Sequence, residues 1–187
     1  MNITDDADLN KEWVFSEREI TISDKIIGKG AFGEVRVAKW RNIDVAAKRL
    51  HALVAEQDSE LRDLQYENAS IADSFRAEMH TLSKMRHPNL VLFLGIGYNP
   101  RTRQPTTILT ELLPGSLYDV LEVHKIKLNI PEILDIALDV ATGLDYLHSH
   151  NPQVVHRDIS AKNILLGGNR AKIADLGQAK IFGASAL

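Results

Sequence analysis

The chain contains no cysteine, and that absence removes disulfide staples, thiolate nucleophiles and Cys-ligated zinc together. Long apolar runs are missing too. The longest, "LVLFLGIG" at residues 90–97, is far shorter than the roughly 20 residues a membrane-spanning helix needs. The opening "MNITDDADLN" is acidic and has neither the basic nor the apolar region of a secretion signal. Neither sign of charge dominates: 22 Lys plus Arg stand against 25 Asp plus Glu, a net charge of −3. No broad basic field is therefore available for nucleic acid or an anionic membrane surface. A reducing, cytoplasmic or nuclear compartment is the expectation. What remains is ordinary, with 44% hydrophobic and 25% charged residues in 187 positions. That composition specifies a globular protein with a core, and the length gives room for one domain or two small lobes.

Periodicity divides the chain near Leu113–Ser116. Before that point, "EITISDKIIGKGAFGEVRVAKW" reads as a strand, a glycine turn and a second strand in which Val35 and Val37 alternate with Glu34 and Arg36. "NIDVAAKRL" supplies a third strand, with Val45 and Ala47 on one face and Ala46 and Lys48 on the other. "NLVLFLGIGY" and "TTILTEL", joined by the polar "NPRTRQP", complete a sheet of about five strands. Between these groups, residues 51–69 have no clean period and read as a connection. Ile71, Phe75, Met79, Leu82 and Met85 then form the stripe of an amphipathic helix that stops before Pro88 and carries Glu78 beside it. After "PGS" the spacing is helical, first in "LYDVLEV" and then in "NIPEILDIALDVATGLDYLHSH". There Asn129 and Glu132 have the spacing of a capping box, and Pro131 falls in the first turn.

Several residues carry chemistry. Gly28, Gly30 and Gly33 form G-x-G-x-x-G, a pattern shared by dinucleotide fingerprints, phosphate-covering hairpins and plain glycine turns. A dinucleotide fingerprint opens a helix, whereas here the alternating "EVRVAKW" follows at once, which favours a hairpin. Phe32 at its tip is placed to shield a site. Lys48 on its strand and Glu78 on its helix each have a bland reading as solvated polar positions. Together with the glycines they can pair and hold an amine toward a triphosphate. Asp158 and Asn163, five positions apart in "VVHRDISAKNILL", offer a carboxylate that can take a hydroxyl proton and an amide oxygen that can bind Mg²⁺ without adding charge. Asp175 in "IADLGQA" adds a hard carboxylate for the same metal. Singly, His156, Asp158, Asn163 and Asp175 also fit turns satisfied by backbone.

The ordered series of Gly-rich loop, "VAAK", helical Glu78, "HRDISAKN" and "DLG" resembles the protein kinase family, over about Thr21 to Lys180. "GAFGEVRVAKW" and "TELLPGSLYDVL" are similar to the tyrosine-kinase-like group, the latter also to tyrosine kinases. The resemblance implies an α+β fold: an N-terminal five-stranded antiparallel sheet with one main helix, then an incomplete helical lobe. Its divisions would be an extension at 1–19, a nucleotide-binding lobe at 20–113 and a partial second lobe at 114–187.

The resemblance also implies roles. Gly28, Gly30 and Gly33 would cover the triphosphate of ATP, and Lys48, held by Glu78, would contact its α and β phosphates. Ile27, Val35, Ala46 and Leu165 would sandwich adenine. Glu111 and Leu113 would supply hinge backbone, with Thr110 as gatekeeper. Asp158 would deprotonate the substrate hydroxyl, Lys162 would steady the moving phosphoryl group, and Asn163 with Asp175 would hold Mg²⁺. His156, Leu176, Leu82 and Phe93 resemble the family's internal apolar stack. These residues would converge in a cleft separating the two halves. Protein hydroxyls are the implied substrate. Ser160 stands where serine/threonine kinases carry Lys and Lys162 where many tyrosine kinases carry Arg, so the expectation is Ser/Thr or dual specificity with tyrosine as the alternative.

The ending departs from the family pattern. "DLG" replaces the commoner "DFG", and neither an A-P-E motif nor the helices that pack beneath the catalytic loop follow. The expectations are an exposed apolar stripe through Ile133, Ile136, Val140, Leu144 and Leu147, a partner protein that covers it, and nucleotide binding that tolerates the shortening better than catalysis. A truncated ATP-binding regulatory module is the alternative function.

Overall fold

The computed structural model describes residues 13–29, 33–50, 79–98 and 105–182. The chain forms two units, residues 1–83 with 93–112 and residues 84–92 with 113–187.

In the first unit the alternating segments form one sheet. Its strands are β1 (Val14–Ser16), β2 (Ile20–Lys29), β3 (Gly33–Trp40), β4 (Ile43–Leu50), β5 (Phe93–Tyr98) and β6 (Pro105–Glu111), in the order β1-β5-β6-β4-β3-β2. All neighbours are antiparallel except β1, which runs parallel to β5 with Val14 opposite Ile96. The sheet therefore has six strands where periodicity predicts five. The additional strand lies inside the stretch read as an extension, where three residues are too few to show alternation and the pairing partner is distant in sequence. β3 and β4 meet through Arg41 and Asn42, whose φ values of 47° and 66° give the mirror-image two-residue turn that matches strand twist. The Arg41 guanidinium rests 4.5 Å from the centre of the Trp40 ring.

One face of this sheet carries the core of Phe15, Ala38, Trp40, Val45, Ala47 and Leu109, with Ile20, Ile22 and Leu94 against it. The helical residues 79–84 bury Met79 and Leu82, and the Tyr98 hydroxyl approaches the Met79 sulfur at 3.9 Å. The predicted stripe positions Ile71 and Phe75, the connection at 51–69 and Phe32 lie outside the described residues.

The second unit is built on α1 (Ile130–Ser149). As the sequence predicts, the Asn129 side chain accepts from Glu132 N at 2.9 Å while the Glu132 carboxylate accepts from Asn129 N at 2.7 Å. Beside α1 lie a three-stranded sheet and a two-stranded one. These comprise β7 (Gly115–Ser116), β8 (Gln153–Val155), β9 (Ile164–Gly167), β10 (Arg170–Ile173) and β11 (Lys180–Phe182). "LYDVLEV" is helical, but over Asp119–Val123 it widens to π geometry, with His124 N donating to Asp119 O at 2.8 Å. α1 packs on β8 and β10. The apolar stripe expected to be exposed is mostly turned inward: Leu147 is buried, and Ile136, Val140 and Leu144 are half-buried. The exposed face is the adjoining one, Ile130, Ile133, Leu134 and Leu138, at 72%, 50%, 61% and 66%. Only Ile133 belongs to both sets, because β8 and β10 occupy the side expected to lie bare.

Candidate functional site

In the first unit, strand register decides which predicted residues share a face. Val45 and Ala47 face the core, so Ala46 and Lys48 point to the other side of β4. Directly opposite Lys48 are Val35 and Ile108, and opposite Ala46 are Val37 and Thr110. Cross-strand partners lie on the same face, so Val35, Ala46, Lys48 and Thr110 line one surface. Thr110 is also opposite Phe93, and Glu111 ends β6 opposite Val45. Ile27 is 43% exposed, and Gly28 faces Val35 across the β2–β3 pair. Gly33 begins β3 and is buried. Among the described residues, a Cβ on Gly28 would meet Val35, at an ordinary 3.5 Å. Gly30 and Glu78 lie outside the described residues.

In the second unit, a buried histidine organises the loop. His156 is 1% exposed. Its Nδ1 accepts from Asp158 N at 3.2 Å, which assigns the proton to Nε2, and Nε2 then donates to Ala174 O at 3.0 Å. Burial pushes its pKa below the usual imidazole value, against the opposing pull of Ala174 O, Asp175 and Asp158. A neutral ring thus ties the Asp158 loop to the residue before Asp175. Asn163 adds further ties. Its Nδ2 donates to Asp158 O at 2.8 Å and Oδ2 at 2.9 Å, its backbone N donates to Ser160 O, and its carbonyl accepts from Ala174 N. With the amide nitrogen committed to Asp158, Oδ1 is the atom Asn163 can present to a cation. Asp175 is exposed, sits in the left-handed region at φ 62°, and accepts from Gly177 N at 3.2 Å. Oxygen donors of this kind fit Mg²⁺, which takes one or two protein ligands together with waters and phosphates.

Lys162, Leu165 and Leu113 are also among the described residues. Lys162 holds its ammonium 4.9 Å from the centre of the Tyr118 ring. Leu165 on β9 lies opposite Ser116 and Lys172. Leu113 packs on the same strand so closely that a Cβ on Gly167 would lie 2.7 Å from its Cδ2. Arg157, at φ 65°, donates to Gln178 O and ties the loop to the chain beyond Asp175.

Sequence reasoning missed the support beneath this loop. Asp139, 8% exposed on α1, accepts from Ala171 N at 2.8 Å and from Arg170 Nη1 at 3.0 Å. Burial by itself pushes its carboxyl up, but hydrogen bonds from Ala171, Arg170 and Asn89 together hold it below the usual range. Asn89 donates to Ala171 O at 3.0 Å, while its carbonyl accepts from Ile173 N and Ile173 O accepts from Val91 N. Gly143 makes the approach possible, since a Cβ there would lie 2.9 Å from Asn89 O. β10 is thereby held on both edges two residues before Asp175. An acid spaced with the apolar stripe of a helix, and a glycine one turn later, are the signals that would have found this site.

A family model described as protein tyrosine and serine/threonine kinase matches residues 21–185. Among curated relatives, serine/threonine-protein kinase VIK of Arabidopsis thaliana is 34% identical over 91% of this chain and 37% of its own length. Dual specificity protein kinase shkC of Dictyostelium discoideum is 38% identical over 82% of this chain and 28% of its own. "Probable serine/threonine-protein kinase SIS8" of Arabidopsis thaliana is 37% identical over 87% of this chain and 14% of its own. The chain thus spans well under half the length of these relatives.

Proposed function

The chain belongs to the protein tyrosine and serine/threonine kinase family, and from that premise we propose that it transfers the γ-phosphoryl group of ATP to serine or threonine hydroxyls of proteins. The observation that carries this reading is the Asp158 loop, in which the carboxylate accepts from Asn163 and the backbone N–H donates to a buried, neutral His156. Phosphoryl transfer is mostly positioning and electrostatics, and such a loop supplies positioning. Asp158 accepts the proton of the incoming hydroxyl. Lys162 provides a positive charge for the transferring group. Val35, Ala46 and Thr110 give the nucleotide a flat apolar surface, with Lys48 on the same face for its phosphates. Asn163 and Asp175 would hold Mg²⁺, which when bound neutralises phosphate charge. The preference for serine and threonine over tyrosine rests on relatives named as serine/threonine and dual-specificity kinases.

The test is transfer of label from γ-labelled ATP to a generic protein acceptor, alongside Mg-dependent binding of a fluorescent ATP analogue. Asp158→Asn should cut transfer by about 10²–10⁴-fold while binding is kept, and Lys48→Met should weaken binding. Transfer that survives Asp158→Asn would reject the base. Binding without measurable transfer in the wild-type chain would favour the regulatory alternative.

A further inference from the structure

Residues 13–19 are not a loose leader to the sheet. Val14, Phe15 and Ser16 pair in parallel with Ile96, Gly97 and Tyr98, and Phe15 is 2% exposed with its ring 5.9 Å from that of Trp40. The turn after β1 is locked by a reciprocal pair: Ser16 N donates to Glu19 Oε1 at 2.8 Å, and Ser16 Oγ accepts from Arg18 N. Two glycines in β5 are cut to fit this segment. A Cβ on Gly95 would lie 2.8 Å from Trp13 O, and one on Gly97 would lie 2.9 Å from the Phe15 ring. Glycine inside a strand weakens it unless another backbone or ring must come close, and here both do.

The contact that gives this strap a consequence is at its start. Trp13 meets Phe93 edge to face, with ring centres 5.7 Å apart, and Phe93 stands directly opposite Thr110. The ladder is irregular between Phe93 and Gly95, so register alone holds Phe93 less firmly than its neighbours. We propose that residues 13–19 form a strap whose Trp13 is a positioning residue: it fixes Phe93 and, through that residue, Thr110 on the nucleotide-facing surface. The functional consequence rests on the nucleotide-binding reading above; the positioning itself does not.

The experiment uses the full chain and two readouts, amide hydrogen exchange across residues 93–98 and 105–111 and affinity for a fluorescent Mg-ATP analogue. Trp13→Ala is expected to speed exchange in both segments and weaken affinity about three- to tenfold, the scale of one aromatic pair. Trp13→Phe should restore both. Ile22→Ala removes packing from the same core away from Phe93, and after matching for loss of thermal stability it should do neither. If Trp13→Ala does not fold, Gly95→Ala, whose methyl would lie 2.8 Å from Trp13 O and 3.3 Å from the Phe15 ring while the Trp13 ring is retained, should reproduce both effects. Unchanged exchange at 93–98 and 105–111 overturns the proposal, as does equal acceleration by Ile22→Ala. If the wild-type chain binds no nucleotide, the proposed function falls, and the exchange measurement decides the strap by itself.

Discussion

His156 shows how one residue links stability to chemistry. Its ring must be neutral to accept from Asp158 N and donate to Ala174 O, and burial keeps its pKa below the ordinary 6.5. As pH falls through that ordinary value the unfolded chain takes up the proton first. Stability is therefore complete above about 6.5 and declines below it until the folded-state pKa is reached. Melting temperature measured from pH 7.5 down to 5 should fall, and His156→Leu should flatten that slope while lowering stability throughout. Asp119 and Asp139 act in a separate window. Hydrogen bonds from Ser116 lower the first and those from Ala171, Arg170 and Asn89 the second. Their stabilisation is present above about 3.8 and lost as pH falls further. Asp139→Ala should cost about 1–3 kcal/mol by leaving Ala171 N–H buried without its acceptor, read by denaturant melts at pH 7. Asp158 and Asn163 were legible in the sequence because their spacing and order are chemical. Asp139 was not, because its partners Ala171 and Asn89 lie on distant segments.

At the scale of elements, α1 carries both kinds of information. Its start is written locally, and Asn129→Ala should lower stability by about 1 kcal/mol through loss of the cap, measurable in the same melts. Its packing is not local. Gly143→Ala puts a methyl 2.9 Å from Asn89 O and 3.0 Å from Ile173 Cδ1, so overpacking should cost about 1–3 kcal/mol and loosen β10. Isolated helical sequences rank alanine above glycine by about 1 kcal/mol, so a destabilising outcome identifies tertiary contact as the winner. The same reasoning applies to "FLGIGY": β5 was legible as a strand from its apolar residues, but the reason for Gly95 and Gly97 is visible only with Trp13 and Phe15 in place. The Asp119–Val123 segment was readable as helical, and its π geometry was not.

At the scale of the whole molecule, the exposed Ile130, Ile133, Leu134 and Leu138 form an apolar face of the kind that marks association sites or drives aggregation. The chain should self-associate with rising concentration in sedimentation, and Leu134→Lys with Leu138→Lys should reduce that association without lowering melting temperature. Sedimentation unchanged by both substitutions would leave this face without that role. Among the described residues no helix is long and apolar enough to cross a membrane.

The sequence by itself determined the strands β2 to β6, the helix α1 with its cap and the ordered motifs that identify the family, because each depends on residues a few positions apart or on chemistry fixed by residue type. Tertiary structure alone decided three things: that Val35 and Thr110 join Ala46 and Lys48 on one face, that Val14–Ser16 becomes a sixth strand, and that α1 leaves bare a different side from the one its periodicity suggested. Each is set by which distant segment pairs or packs with which. Local hydrophobic spacing shows that a face will be buried, and the partner that buries it is chosen only when the chain folds.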